Sequence, residues 1–279
     1  MGTCQALEKL GFEVDYVNPK ADGRILFDEI IKLVREDTLL VSVMHVNNET
    51  GVIQPVKKIG DFLAANDVYF HIDATQSFGK LVDELKEIKY DMLSMSAHKI
   101  AGPQGVGALI LRQKGYKLPP VKGIMYGGQQ EHGIRPGTVP VALVAGLGLA
   151  CSLASREYIA NSEKCLKIKT ALLEELEKAN ISYKINGNQD YCLPSTLNIC
   201  FNGVSSEALM LSTKQYCGIS NGSACNSKSY EPSYVLTAMG LPLDQIENSV
   251  RISWGADCNL EEVKASFQKL LSVAKALAI

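Results

Sequence analysis

The sequence is short of charge of either sign. Its 28 Lys and Arg nearly balance 30 Asp and Glu, leaving a net charge of −2. A broadly basic nucleic-acid-binding face is therefore not indicated, and no direct nucleic-acid partner is expected. Gly and Pro, at 23 and 10 residues, are too few for a collagen-like or low-complexity chain. No apolar run is read as reaching the roughly 18 residues of a membrane span, so no membrane partner is expected either. Residues 1–10 are polar and mixed, which predicts no secretory leader at that point. Cys-x-x-Cys is absent, although cysteine itself is not: the eight lie at 4, 151, 165, 192, 200, 217, 225 and 258. That spacing in a chain this long argues against a disulfide-stapled or zinc-clustered fold and for a reduced, cytoplasmic protein with several buried thiols. What the chain does have is apolar bulk. At 279 residues and 46% hydrophobic, it can bury a large core in one big domain or two smaller ones.

The apolar pattern alternates between strand-like and helix-like periods. Residues 12–17 (FEVDYV), 39–43 (LLVSV), 68–72 (VYFHI), 92–94 and 107–111 (GALIL) read as strands. Residues 28–35 and 56–66 between them have helical spacing. Such alternation predicts an α/β fold with a mainly parallel sheet and flanking helices. Residues 115–135 are irregular and Gly/Pro-rich. A long helical passage over 139–178 then offers a domain junction, with 1–155 as a large domain and 156–279 as a smaller α+β domain. The second part is expected to hold strands at 197–201 and 249–253 and helices at 206–213 and 260–277.

In open α/β sheets ligands gather at the carboxyl ends of the strands. Three of those ends are polar here. One strand runs into His45-Val46-Asn47-Asn48-Glu49, the next into Asp73-Ala74-Thr75-Gln76-Ser77, the third into Ser96-Ala97-His98-Lys99. A lysine followed by Gly102-Pro103 is, by itself, an ordinary solvated loop residue. Beside Asp73 it acquires a chemistry. A lysine amine can hold an aldehyde cofactor as a Schiff base. Pyridoxal phosphate needs in addition an acid against its ring nitrogen. Asp73 is of the right kind, though capping a helix is its ordinary use. Ser96 and His98 could donate to a phosphate or satisfy local carbonyls.

These residues, with the loop Asn221-Gly222-Ser223-Ala224-Cys225 and the segment Gly128-Gln129-Gln130-Glu131-His132-Gly133-Ile134-Arg135-Pro136-Gly137-Thr138, resemble the cysteine desulfurases. Those are fold-type I, class V aminotransferase-like enzymes that use pyridoxal 5'-phosphate. The likeness runs from the first residues to about Phe267, and the Gly-Ser-Ala-Cys loop resembles the long-loop subgroup that serves iron–sulfur cluster assembly. The resemblance implies roles. Lys99 would carry the cofactor and move the substrate proton. Asp73 would face the pyridinium. Gln76 and Asn48 would lie near the phenolic oxygen, with Asn48 also facing substrate. Ser96 and His98 would hold the phosphate. Thr138 would reach the phosphate of a second subunit, which implies a homodimer. Arg251 would clamp the substrate carboxylate, as a planar guanidinium suits. No metal is implied. L-cysteine would become L-alanine, leaving a persulfide on Cys225 for transfer to a sulfur acceptor protein. A thiol in so small and polar a loop fits that work, whereas Cys4, Cys151, Cys165, Cys192, Cys200, Cys217 and Cys258 read as bystanders.

The same family leads one to expect a stretch before the point matching Met1. It carries a phosphate loop at a helix N-terminus and a histidine that stacks on the cofactor. None of His45, His71, His98 and His132 fits that position. The sequence thus reads as N-terminally truncated relative to the family. Two alternatives follow: a non-catalytic sulfur-accepting or partner-binding protein, and a selenocysteine lyase.

Overall fold

The computed structural model describes residues 2–222 and 232–278. The chain opens with α1 (Gly2–Lys9) and α2 (Phe27–Leu33), followed by β1 (Leu40–Met44), α3 (Val56–Ala65), β2 (Tyr69–Asp73), α4 (Val82–Glu87), β3 (Met92–Ser96) and β4 (Gly107–Leu111). The four strands lie in the order β1-β2-β3-β4. β1, β2 and β3 are mutually parallel, and β4 returns antiparallel to β3. A mainly parallel sheet is thus what the alternation predicted.

Residues 12–17 do not form the expected strand; they run extended with no ladder. Alternation makes a strand only where a neighbour offers its edge, and the edge strand β1 pairs with β2 alone among the described strands. In their place, short extended chain leads to Arg35, whose guanidinium meets Glu13 and Asp15 at 3.3 and 2.8 Å.

One long helix, α5 (Val141–Lys178), links this sheet to a second. The second sheet has the order β5 (Tyr183–Ile185), β6 (Thr196–Phe201), β7 (Ser249–Ser253), all antiparallel. With it go α6 (Ser206–Thr213), α7 (Tyr234–Ala238), α8 (Leu243–Glu247) and α9 (Leu260–Leu277). Two cores result. The first gathers Val43, Ile59, Leu63, Phe70, Ile72 and Leu93, with Leu147 and Cys151 of α5 packed against it. The second gathers Ile168, Leu172 and Leu176 of α5 with Leu197, Ile199, Phe201, Val250 and Phe267. By length and composition α5 is apolar enough to cross a membrane, which the sequence reading had not found in any stretch. Its second half nevertheless packs into the second core.

Candidate active site

Pleating decides which residues are available at the strand ends. Along β2, Phe70 and Ile72 turn into the core, so Tyr69, His71 and Asp73 turn to the half-open face. Along β3, Leu93 and Met95 are buried and Met92, Ser94 and Ser96 share the open face. The register aligns Met44 with Asp73 and Asp73 with Ser94. Asp73 and Ser96 therefore stand at the carboxyl ends of adjacent parallel strands, where such sheets bind ligands.

Beyond Ser96 the chain makes a 3-10 turn, Ala97–Ile100, which presents His98 and Lys99 to solvent. The turn closes on Ala101 in the left-handed region, at φ 60°. It can lie close to α5 because of Gly102: a Cβ there would stand 3.0 Å from those of Ala97 and Ala150. Gly79 does the same for the loop after Asp73, with φ +72° and a Cβ position 2.8 Å from Ile100 and 2.9 Å from Ala154. The two glycines bring the Asp73 loop, the Lys99 turn and α5 together.

Within this site Ser96 Oγ and His98 Nδ1 are hydrogen-bonded at 2.7 Å. Asp73 accepts from the Thr75 backbone N–H at 2.9 Å. Behind it, His71 is held between Ser42 and Ser94, at 2.8 and 3.1 Å. Burial holds the His71 imidazole below its ordinary value, with the Asp73 charge opposing. Burial, and secondly the positive Lys99, holds the Lys80 amine down. Lys80 was missed in the sequence reading, where it is one more lysine after a glycine. Gln76 is half-buried on the loop after Asp73.

A second cluster joins the two sheets. Arg251 of β7 donates from Nη1 to the backbone carbonyl of Asn48 at 3.0 Å, across 203 positions of chain. Its other guanidinium N–H groups have no hydrogen-bonded acceptor among the described residues, which leaves much of the fork for a ligand. Beside them Glu49 is fully buried. Its Oε2 accepts from Ser233 Oγ at 2.5 Å, and its Oε1 has no partner among the described residues. Burial pushes this carboxyl up, against the Ser233 hydrogen bond and the Arg251 charge, which favour ionisation.

Thr138 is exposed before α5 and makes no hydrogen bond to Ser96, His98 or Lys99 among the described residues. Cys225 lies outside the described residues. Of the other thiols, burial raises Cys151, Cys165, Cys192, Cys200 and Cys217, which makes them poorer nucleophiles.

The comparisons with known proteins give the family. A family model described as Aminotransferase class-V matches residues 2–265. The chain is 43% identical over 265 residues to the cysteine desulfurase IscS of Pasteurella multocida (strain Pm70), covering 94% of this chain and 64% of that one. It is 41% identical over 279 residues to IscS of Actinobacillus succinogenes, covering 99% and 68%. Among solved structures, DndA from Streptomyces lividans superposes with a TM-score of 0.80 at 40% identity, covering 90% of this chain and 70% of that one. SspA, solved in complex with cysteine, gives 0.74 at 37%, covering 90% and 69%. The chain belongs to the class-V aminotransferase family of pyridoxal phosphate enzymes. Within it, its relatives are cysteine desulfurases. It spans about two thirds of the length of these relatives, 64% in the first case.

The residues present suit the family's cofactor. They supply an amine at Lys99, a carboxylate at Asp73, an amide at Gln76 and a hydroxyl–imidazole pair at Ser96 and His98, all around the ends of β2 and β3.

Proposed function

We propose that this chain carries the active-site half of a pyridoxal phosphate-dependent cysteine desulfurase, converting L-cysteine to L-alanine. The observation that carries the reading is the convergence of Asp73, Ser96, His98 and Lys99 at adjacent strand ends, with Arg251 held against Asn48. When bound, the cofactor supplies an electron sink for the substrate carbon skeleton. Lys99 would hold it, Asp73 would keep its ring nitrogen protonated, Gln76 and Asn48 would lie by its phenolic oxygen, and Ser96 and His98 would take its phosphate. Thr138 would serve the phosphate of a second copy, making the protein a homodimer.

The chain's own groups then have distinct work. Arg251 binds the α-carboxylate of L-cysteine through its free N–H groups. Lys99, as a free amine, takes the Cα proton. The Cys225 thiolate attacks the substrate sulfur. The Cβ–S bond breaks, an S–S bond forms, and Cβ takes up a proton, so that alanine leaves and Cys225 keeps the sulfur as a persulfide. A sulfur acceptor protein then receives it, in iron–sulfur cluster assembly if the likeness to IscS extends that far. The seven free thiols among the described residues fit a reducing, cytoplasmic setting. The functional division falls within α5, near residue 155, whose two halves pack against different cores.

The test is reconstitution with pyridoxal phosphate. The expected outcome is a lysine-linked absorbance band, alanine release from L-cysteine, and dimers by light scattering. Lys99→Ala is expected to abolish the band and to lower turnover by roughly 10²–10⁴-fold. Cys225→Ser is expected to keep the band and lose the persulfide. A folded protein with no band at high cofactor would instead mark a partner-binding protein. A strong preference for selenocysteine over cysteine would make it a selenocysteine lyase.

A further inference from the structure

The chemistry assigned to the site leaves one buried acid unused. Glu49 follows Asn48, lies fully inside the protein, and has a carboxylate oxygen with no partner among the described residues. Burying a carboxyl group in that way is costly unless it holds something in place. Its surroundings show what it holds. The Glu49 backbone N–H donates to Asn47 Oδ1 at 2.9 Å, and its carbonyl accepts from Asn198 Nδ2 of β6 at 3.3 Å. Its Oε2 receives the Ser233 hydroxyl, and the same Ser233 Oγ accepts from Leu236 N–H at 3.2 Å as the N-cap of α7. A Cβ on Gly222 would stand 3.7 Å from Oε2. On the other side, Arg251 donates to the carbonyl of the preceding residue. Arg251 and Glu49 make no contact ion pair among the described residues, so the guanidinium feels the carboxylate through space.

We propose that Glu49 is a positioning residue for the carboxylate-binding site. Its buried carboxyl group is held on the Ser233 cap and its backbone is tied to Asn47 and Asn198, which together fix the loop whose Asn48 carbonyl takes Arg251, so that an amino-acid carboxylate meets a guanidinium already aimed. The inference rests on the reading of Arg251 as the carboxylate clamp. It adds a residue that touches neither substrate nor cofactor. Three tethers meet on Glu49: Asn47 from its own loop, Asn198 from the second sheet and Ser233 from α7. Preorganisation of that kind lowers the ordering cost of binding without adding a contact.

The experiment titrates the cofactor-loaded full chain with L-alanine, which carries the same α-carboxylate as cysteine and no thiol, following the cofactor band. Arg251→Ala, Glu49→Gln and Ser233→Ala are compared with the parent. Glu49→Gln keeps an oxygen for Ser233 and removes the charge. It is expected to weaken L-alanine binding by roughly tenfold, because the ordering of the loop that carries the Arg251 contact then has to be supplied on binding. With L-cysteine it should raise KM by a similar factor while kcat stays within about twofold, the sign of lost uniform binding. Ser233→Ala leaves the acid in place but frees its side chain, and about a threefold weakening is expected; it carries the test if Glu49→Gln does not fold. If Arg251→Ala weakens binding while Glu49→Gln and Ser233→Ala both stay within twofold of the parent, the role of Glu49 is overturned and the clamp stands. If Arg251→Ala has no effect, the clamp itself falls, and the inference with it.

Discussion

Strand β2 of the first sheet buries Phe70 and Ile72 but leaves Tyr69, His71 and Asp73 partly open, whereas β6 of the second buries every residue from Leu197 to Phe201. The same contrast holds at the edges. Leu40 and Met44 of β1 and Leu109 of β4 are 46%, 36% and 47% exposed. The helices differ as well. Three of those that go with the second sheet begin on side-chain caps, Ser205 for α6, Ser233 for α7 and Asn259 for α9, while α8 begins on Pro242 without one. Those of the first begin on Leu26, Pro55 and Leu81, with no side-chain cap. One region therefore spends its residues on stability and the other on presenting polar groups. A sheet that offers Asp73 and Ser96 at an open face cannot also bury that face, and the second sheet, through Arg251, supplies the fixed post against which the site is built.

Core truncation should sharpen this contrast most. Phe201, fully buried in the second core, is expected to cost about 3–5 kcal/mol as Phe201→Ala. Leu109→Ala, on the open face of β4, should cost under about 1 kcal/mol. Urea unfolding of the two variants measures both. Equal losses would mean that the first sheet is covered in solution, and that the division of labour drawn above is wrong.

Acid should act on the first sheet through His71. Its folded imidazole titrates below the ordinary value, so the neutral form is the one the fold prefers. Stability from this group is present above the unfolded value of about 6.5 and is lost as pH falls below it. The melting temperature of the parent should drop more between pH 7 and 5 than that of His71→Gln. Parallel curves would show that the Ser42–His71–Ser94 ladder accommodates the charged ring.

How much of this was legible beforehand varies with the range of the interaction. Long periodic elements were readable from local pattern: β4, α6, β7 and α9 fall on the residues the spacing predicts. Residues 12–17 alternate as well as β2 does, yet pair with nothing, because the existence of a strand depends on a distant edge. β5 has three residues and no period to read. The strand-end residues were legible because parallel sheets place their sites there. Arg251 was singled out only by likeness to a family, and its bond to Asn48, 203 positions away, was not foreseen. Glu49 was read only as the last member of a polar strand end, and Ser233 carried no signal at all. A glutamate in a polar loop reads as solvated, and only tertiary packing shows it buried.

The capping contrast can be broken in both directions, with the smallest effects. Asn259 accepts from the N–H groups of Glu261 and Glu262, at 2.9 and 3.2 Å. Asn259→Ala should cost about 1 kcal/mol, the usual worth of a cap. Leu26 precedes α2 with extended backbone, φ −88° and ψ 129°, which is the conformation a capping serine adopts, and its side chain is exposed. Leu26→Ser should therefore stabilise the protein by roughly 0.5 kcal/mol, since it supplies a side-chain acceptor to the first turn, where only the Leu26 carbonyl now receives the Glu29 N–H, and gives up little burial. A gain read by thermal melting would mean that the first sheet's helices were left uncapped without any structural demand. A loss would mean that Leu26 covers apolar surface on that side, and the open face would then be narrower than its exposed strands suggest.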